Sequence, residues 1–124
     1  MADGINFVST WHFIREGQLQ TDTEAMLMPG EQVLGVYQTV RDQAVFTDKR
    51  LIVRDAQGIT GKKVEIFSLP WKSVQMWSTE NSGKVFDIDT ELELWTLIGT
   101  IKINLSRAID IRKIDQLVSQ AVLG

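Results

Sequence analysis

The stretch Ala44–Val74, AVFTDKRLIVRDAQGITGKKVEIFSLPWKSV, decides the fold. It predicts three strands, Ala44–Thr47, Arg50–Asp55 and Lys63–Leu69, each rich in β-branched and aromatic residues. Asp48-Lys49 supplies a tight turn between the first two, and Gln57-Gly58 with Gly61 marks a longer loop before the third. Pro70 stops the last strand, because a proline is tolerated only at a strand end or edge.

Toward the C-terminus the strand pattern continues. Ser73–Thr79 reads as a strand, Asn81-Ser82-Gly83 as a hairpin turn, and Val85–Thr96 as the next strand. In that strand Phe86, Ile88, Leu92 and Leu94 point one way, while Asp87, Asp89, Glu91 and Glu93 point the other. One face therefore meets a core and the other meets water. Thr100–Leu105 follows after an Ile98-Gly99 turn. The last segment is an amphipathic helix with Asp110 as N-cap and Ile111, Ile114, Leu117, Val118, Ala121 and Val122 on its apolar face.

Toward the N-terminus, Gln32–Val40 is a strand, and Gly35 inside it points to a bulge or a close backbone approach. Ahead of Pro29-Gly30 the pattern turns helical. Phe7, Trp11 and Ile14 recur at helical spacing, Gly17 ends that helix, and a second short helix covers Glu24–Met28 with Thr23 as its N-cap. The expected division is a helical leader, residues 1–28, followed by a domain over residues 29–124. The leader docks on its own domain or on a neighbouring subunit. Seven short strands and one terminal helix predict a mainly β architecture: an antiparallel barrel or orthogonal sandwich, with the helix plugging one open end.

With those elements in place, a resemblance becomes specific. Phe46-Thr47-Asp48-Lys49-Arg50-Leu51-Ile52, the run Asp55–Glu65, Ser68-Leu69-Pro70-Trp71-Lys72-Ser73-Val74, and Phe86–Trp95 with its alternating acids resemble the bacterial pleckstrin-homology (PH) domain family, in particular its short stand-alone members. The likeness runs from about Pro29 to Leu123. It implies a PH-like seven-stranded barrel capped by a C-terminal helix, no enzymatic activity, and self-association into ring-like oligomers. Eukaryotic PH domains that grip inositol phosphates cluster Lys and Arg on the first two strands and their connection. Here Gln38–Val45 offers only Arg41, beside Asp42.

Composition narrows the function classes. The chain has 124 residues, no cysteine, one histidine and a net charge of -3. Disulfides, thiolate metal sites and multi-histidine metal sites are excluded, and no cofactor is expected. The mild acidity argues against nucleic-acid binding. No apolar run approaches the roughly 20 residues of a spanning helix, and the N-terminus lacks a secretory pattern, so a cytoplasmic protein is the expectation.

The charge is unevenly placed. Seven bases from Arg41 to Lys72 face four acids, and from Asp87 to Glu93 the sign reverses. Lys62 and Lys63 after Gly61, with Lys72, form a candidate anion site for phosphate or an acidic lipid headgroup. A solvated turn is the plainer reading of that loop, which departs from a phosphate-binding P-loop: Lys63 stands where Ser or Thr belongs, and a strand follows instead of a helix. The acids Asp87, Asp89, Glu91 and Glu93 stand about 6.6–6.8 Å apart along one face, a row that does not converge on a metal. Basic groups answer them better: Lys102 on the next strand, or Lys49, Arg50 and Arg54 on a neighbouring copy. Acidic and basic strips on one domain predict head-to-tail assembly, with Trp95 as an outward aromatic anchor. A protein or peptide partner fits the same surfaces. No catalytic residue emerges, since His12 has no serine nucleophile arranged around it.

Overall fold

Alternation of apolar with polar side chains runs through most of Phe7–Leu105, and eight strands form there. The computed structural model describes residues 7–57, 62–80 and 90–124. The strands are β1 (Phe7–Glu16), β2 (Val33–Thr39), β3 (Asp42–Thr47), β4 (Arg50–Gln57), β5 (Lys63–Pro70), β6 (Val74–Glu80), β7 (Thr90–Thr96) and β8 (Gly99–Leu105). Among the described residues, a short helix α1 (Thr21–Ala25), a 3-10 turn (Trp71–Ser73) and a terminal helix α2 (Ile111–Leu123) complete the order. The Asn81-Ser82-Gly83 turn and Val85–Asp89 lie outside the described residues.

All eight strands belong to one sheet in the order β5-β4-β3-β2-β1-β8-β7-β6. It is a mainly β, PH-like arrangement, but the expected seven-stranded closed barrel is replaced by an eight-stranded open sheet. Every neighbour is antiparallel except β1 and β8, which run parallel from Phe7 opposite Gly99 to Phe13 opposite Leu105.

The extra strand is the correction to the helical leader. Residues 7–16 form β1, wedged between β2 and β8. Phe7, Trp11 and Ile14 fit a helical stripe, yet FVSTWHFI also alternates with period two and is rich in β-branched and aromatic residues. The pairing partners on both sides decide between the two periods. Thr10 and His12 are exposed, Trp11 is half-buried and Phe13 fully buried. The second helix also shifts: α1 starts at Thr21 with Gln20 at its N-cap, and Thr23 is buried within it.

The core lies on the inner face of the sheet. Phe13 stacks on Tyr37 at 5.8 Å between ring centres, Phe46 meets both edge-on, and Trp71 stacks on Phe46. Trp71 Nε1 donates to the Thr47 carbonyl at 2.7 Å, so the buried indole is satisfied. From α2, Ile114, Leu117 and Val118 enter this core. Asp110 caps the helix as expected, accepting from the Arg112 N–H at 2.9 Å. Gly35 fills both of its expected roles: the β2–β3 register shifts beside it, and a Cβ there would stand 2.9 Å from Leu117 Cδ1.

The segment from Gly17 to Glu31 crosses the outer face of β3 and β4. Gln43, Val45 and Thr47 share that face of β3, and Arg50, Ile52 and Arg54 share that face of β4. Val45 and Ile52 are paired there and fully buried, although neither belongs to the inner core. Hydrogen bonds pin the segment at both ends. Gln43 accepts from the Gln20 N–H and donates to the Gln18 carbonyl, while Arg50 donates to the Met26 carbonyl.

Candidate binding surfaces

The basic strip does not stand free. Arg50 clasps Glu31 through both carboxylate oxygens, Nε to Oε2 at 2.9 Å and Nη2 to Oε1 at 3.0 Å. The Glu31 side chain is fully buried and also accepts from the Thr47 hydroxyl and the Met28 N–H. Burial alone would raise its pKa. The hydrogen bonds from Arg50, Thr47 and Met28 outweigh that and lower it from 4.5 to about 2. Arg54 is held by Asp22 at 2.8 Å and by Asp42. Arg41 pairs with Asp55 at 2.6 Å and bonds to the Ala56 carbonyl. These contacts tie Arg50 and Arg54 to the chain's own carboxylates, so of the three candidate interface bases Lys49 stands exposed in the β3–β4 turn.

The candidate anion site is likewise dispersed. Lys62 and Lys63 are exposed at the start of β5. Lys72 is exposed in the 3-10 turn beyond its far end, and seven strand steps from Lys63 to Pro70 already span roughly 23 Å. Gly61 lies outside the described residues. Lys72 instead neighbours Lys49, because the Trp71 N–H bonds to the Lys49 carbonyl at 3.1 Å.

Of the acidic row, Asp87 and Asp89 fall outside the described residues. Glu91 and Glu93 are half-buried on the outer face of β7, alternating with buried Leu92 and Leu94. In the strand register Lys102 stands opposite Glu93 and Asn104 opposite Glu91. Trp95 shares that outer face, between Met76 on β6 and Thr100 on β8. His12 is exposed on β1, opposite Asn104.

Two features escaped the reading of the sequence. Leu97 and Ile98 form the β7–β8 turn with 72% and 58% of their surface exposed. The Leu97 N–H bonds to the Ser73 carbonyl at 3.1 Å, which sets this apolar tip beside Lys72. Two large aliphatics before a turn glycine, where polar residues are the norm, were the signal for it. The second is the Glu31–Arg50 clasp. Its partners are 19 residues apart, and no local pattern announces it.

Two clefts open near the β2–β3 turn. One of about 370 Å³ is lined mainly by polar groups, among them Gln18, Gln20, Gln38 and Gln43. The other, about 200 Å³, lies between Trp11, Val40 and Val53. Among the described residues no cluster of three or more His, Cys, Asp or Glu side chains is placed to hold a metal ion, and no helix is long and apolar enough to cross a membrane.

Known proteins share this architecture. The chain is 49% identical over 77 residues to the uncharacterized protein YjqA of Bacillus subtilis, a match spanning 62% of this chain and 61% of that protein. The crystal structure of a DUF1696 family protein with a pleckstrin-homology domain from Shewanella loihica superposes with a TM-score of 0.79 at 33% identity, covering 87% of this chain and 96% of that one. A pleckstrin homology domain from Shewanella amazonensis gives 0.66 at 37% identity, covering 83% and 84%. PH domains are generally binding modules without catalysis of their own, which suits a surface of paired charges and exposed apolar turns. The family model for the bacterial PH domain matches residues 4–122, taking in β1 as well as α2, and the chain belongs to that family.

Proposed function

We propose that this chain is a non-enzymatic binding and scaffold domain that assembles with copies of itself, head to tail, into a ring. The observation that carries the reading is the exposed Leu97–Ile98 turn, whose backbone bonds to Ser73, the residue after Lys72. Exposed apolar groups with a polar rim mark interaction surfaces. Among the described residues no carboxylate pairs with Lys49 or Lys72, while Glu91, Glu93 and Trp95 offer an acidic and aromatic face along the outer side of β7. Two unlike, complementary surfaces on one chain make a heterologous contact, which closes into a ring when the rotation allows. The double substitution Leu97→Asp, Ile98→Asp tests this. Both side chains already face solvent, so circular dichroism is expected to stay unchanged while the particle falls to a single chain of 14.0 kDa by light scattering. An unchanged particle mass excludes the turn as the contact.

The same turn favours a second reading, a surface for anionic lipid headgroups. Two aliphatic side chains at a protruding tip with lysines alongside suit shallow insertion at an acidic membrane surface. Cosedimentation with phosphatidylserine vesicles, suppressed by salt, supports that reading. Absence of vesicle binding leaves self-assembly as the use of the turn.

A further inference from the structure

β6 closes the sheet on the side away from β5. Among the described residues it pairs with β7 alone, so one row of backbone N–H and C=O groups along the strand has no neighbour. Proteins blunt such edges with lysine, proline or bulges. β5, at the opposite end of the sheet, carries Lys63 and Pro70. β6 reads VQMWSTE, with neither residue, and its one irregularity lies between Val74 and Met76, leaving Met76–Glu80 in regular register.

Beside this edge α2 leaves a groove of about 300 Å³, lined by Thr79, Ile111, Arg112, Asp115 and Gln116. The Trp77 indole donates to Asp115 at 3.0 Å, which sets the spacing between strand and helix. On the outer face Glu80 stands directly opposite Glu91. Like charges in that position repel, and among the described residues no base pairs with either.

We propose that the β6 edge and the groove beside it dock an extended basic peptide segment, which adds as a strand to β6 and places lysine or arginine beside Glu80 and Glu91. Main-chain hydrogen bonds to the edge supply affinity, and alternate side chains read the two faces. Those on the inner side lie against Thr79 and Ile111; those on the outer side meet the carboxylates. The acidic pair argues for a basic occupant over a neutral or acidic one. This site lies toward Glu80, whereas the Leu97–Ile98 turn bonds to Ser73, before β6 begins. The turn and the peptide edge are therefore separable, whereas Glu91 also belongs to the acidic face proposed for assembly.

The test is fluorescence anisotropy with a labelled, strand-length peptide alternating valine and lysine. The same peptide with glutamate for lysine should not bind. Methylating alternate backbone nitrogens should abolish binding in one register and spare it in the other, because only one set of amides faces the edge. Glu80→Lys, an exposed substitution, should weaken binding about tenfold, the scale of one attraction turned repulsive. Two results overturn the proposal: equal effects of both methylation registers, which mean charge attraction without strand pairing; or indifference to Glu80→Lys. The methylation comparison needs no variant protein.

Discussion

Arg50→Met is expected to destabilise the fold by about 3–5 kcal/mol at neutral pH, the usual cost of leaving one member of a buried ion pair without its partner. Glu31 is fully buried, and the bidentate Arg50 guanidinium is its main counter-charge. The pH dependence distinguishes this cause from lost packing. In the native protein the Glu31 carboxyl is held at about 2, against 4.5 unperturbed. A depressed carboxyl contributes stability above its unfolded pKa, and that contribution, of order 3 kcal/mol, drains away as the pH falls from 4.5 toward 2. Without Arg50, burial favours the protonated acid, so the variant loses no such contribution. Urea unfolding at pH 7 and near pH 3 should therefore show the gap between the two proteins narrowing in acid. A gap that stays constant would assign the loss to the Arg50 stem and its contacts.

The second large effect concerns β1. Phe13→Ala should cost about 3–5 kcal/mol, as for other fully buried aromatic residues. Its ring stacks on Tyr37 and meets Phe46 edge-on, and its strand is hydrogen-bonded on both sides. A docked, detachable leader would predict a loss near zero at this position, with residues 29–124 folding unaided. Chemical denaturation of the variant separates the two, and an unfolding midpoint equal to that of the parent chain would remove β1 from the core.

These two residues also mark where the sequence was legible. Strands from Val33 to Leu105 announced themselves by alternation and by turn residues, because each pairs mostly with its neighbour in the chain. Asp110 and Pro70 carried local signals with a single physical meaning. β1 did not, since its aromatic residues satisfy both a helical and a strand period, and its partners lie more than twenty residues away in β2 and some ninety residues away in β8. The same holds for the charges. Arg50 and Arg54 looked available in a run of bases, yet they are captured by Glu31 and Asp22 across 19 and 32 residues. The exposed Leu97–Ile98 turn was legible in principle, as aliphatic residues in a place that asks for polar ones.

Those captures bear on the assembly proposed above. In the proposed assembly, with Arg50 and Arg54 neutralised by their own chain, the basic contribution would fall to Lys49 and Lys72, and the apolar turn between β7 and β8 would be the larger part of the contact. An interface with an apolar centre and a charged rim is less sensitive to salt than one built on ion pairs alone.

The most direct measurement is the mass of the native particle by sedimentation velocity in moderate salt. Self-association predicts one species at an integral multiple of 14.0 kDa, persisting on dilution through the micromolar range. A single species at 14.0 kDa across that range would contradict it.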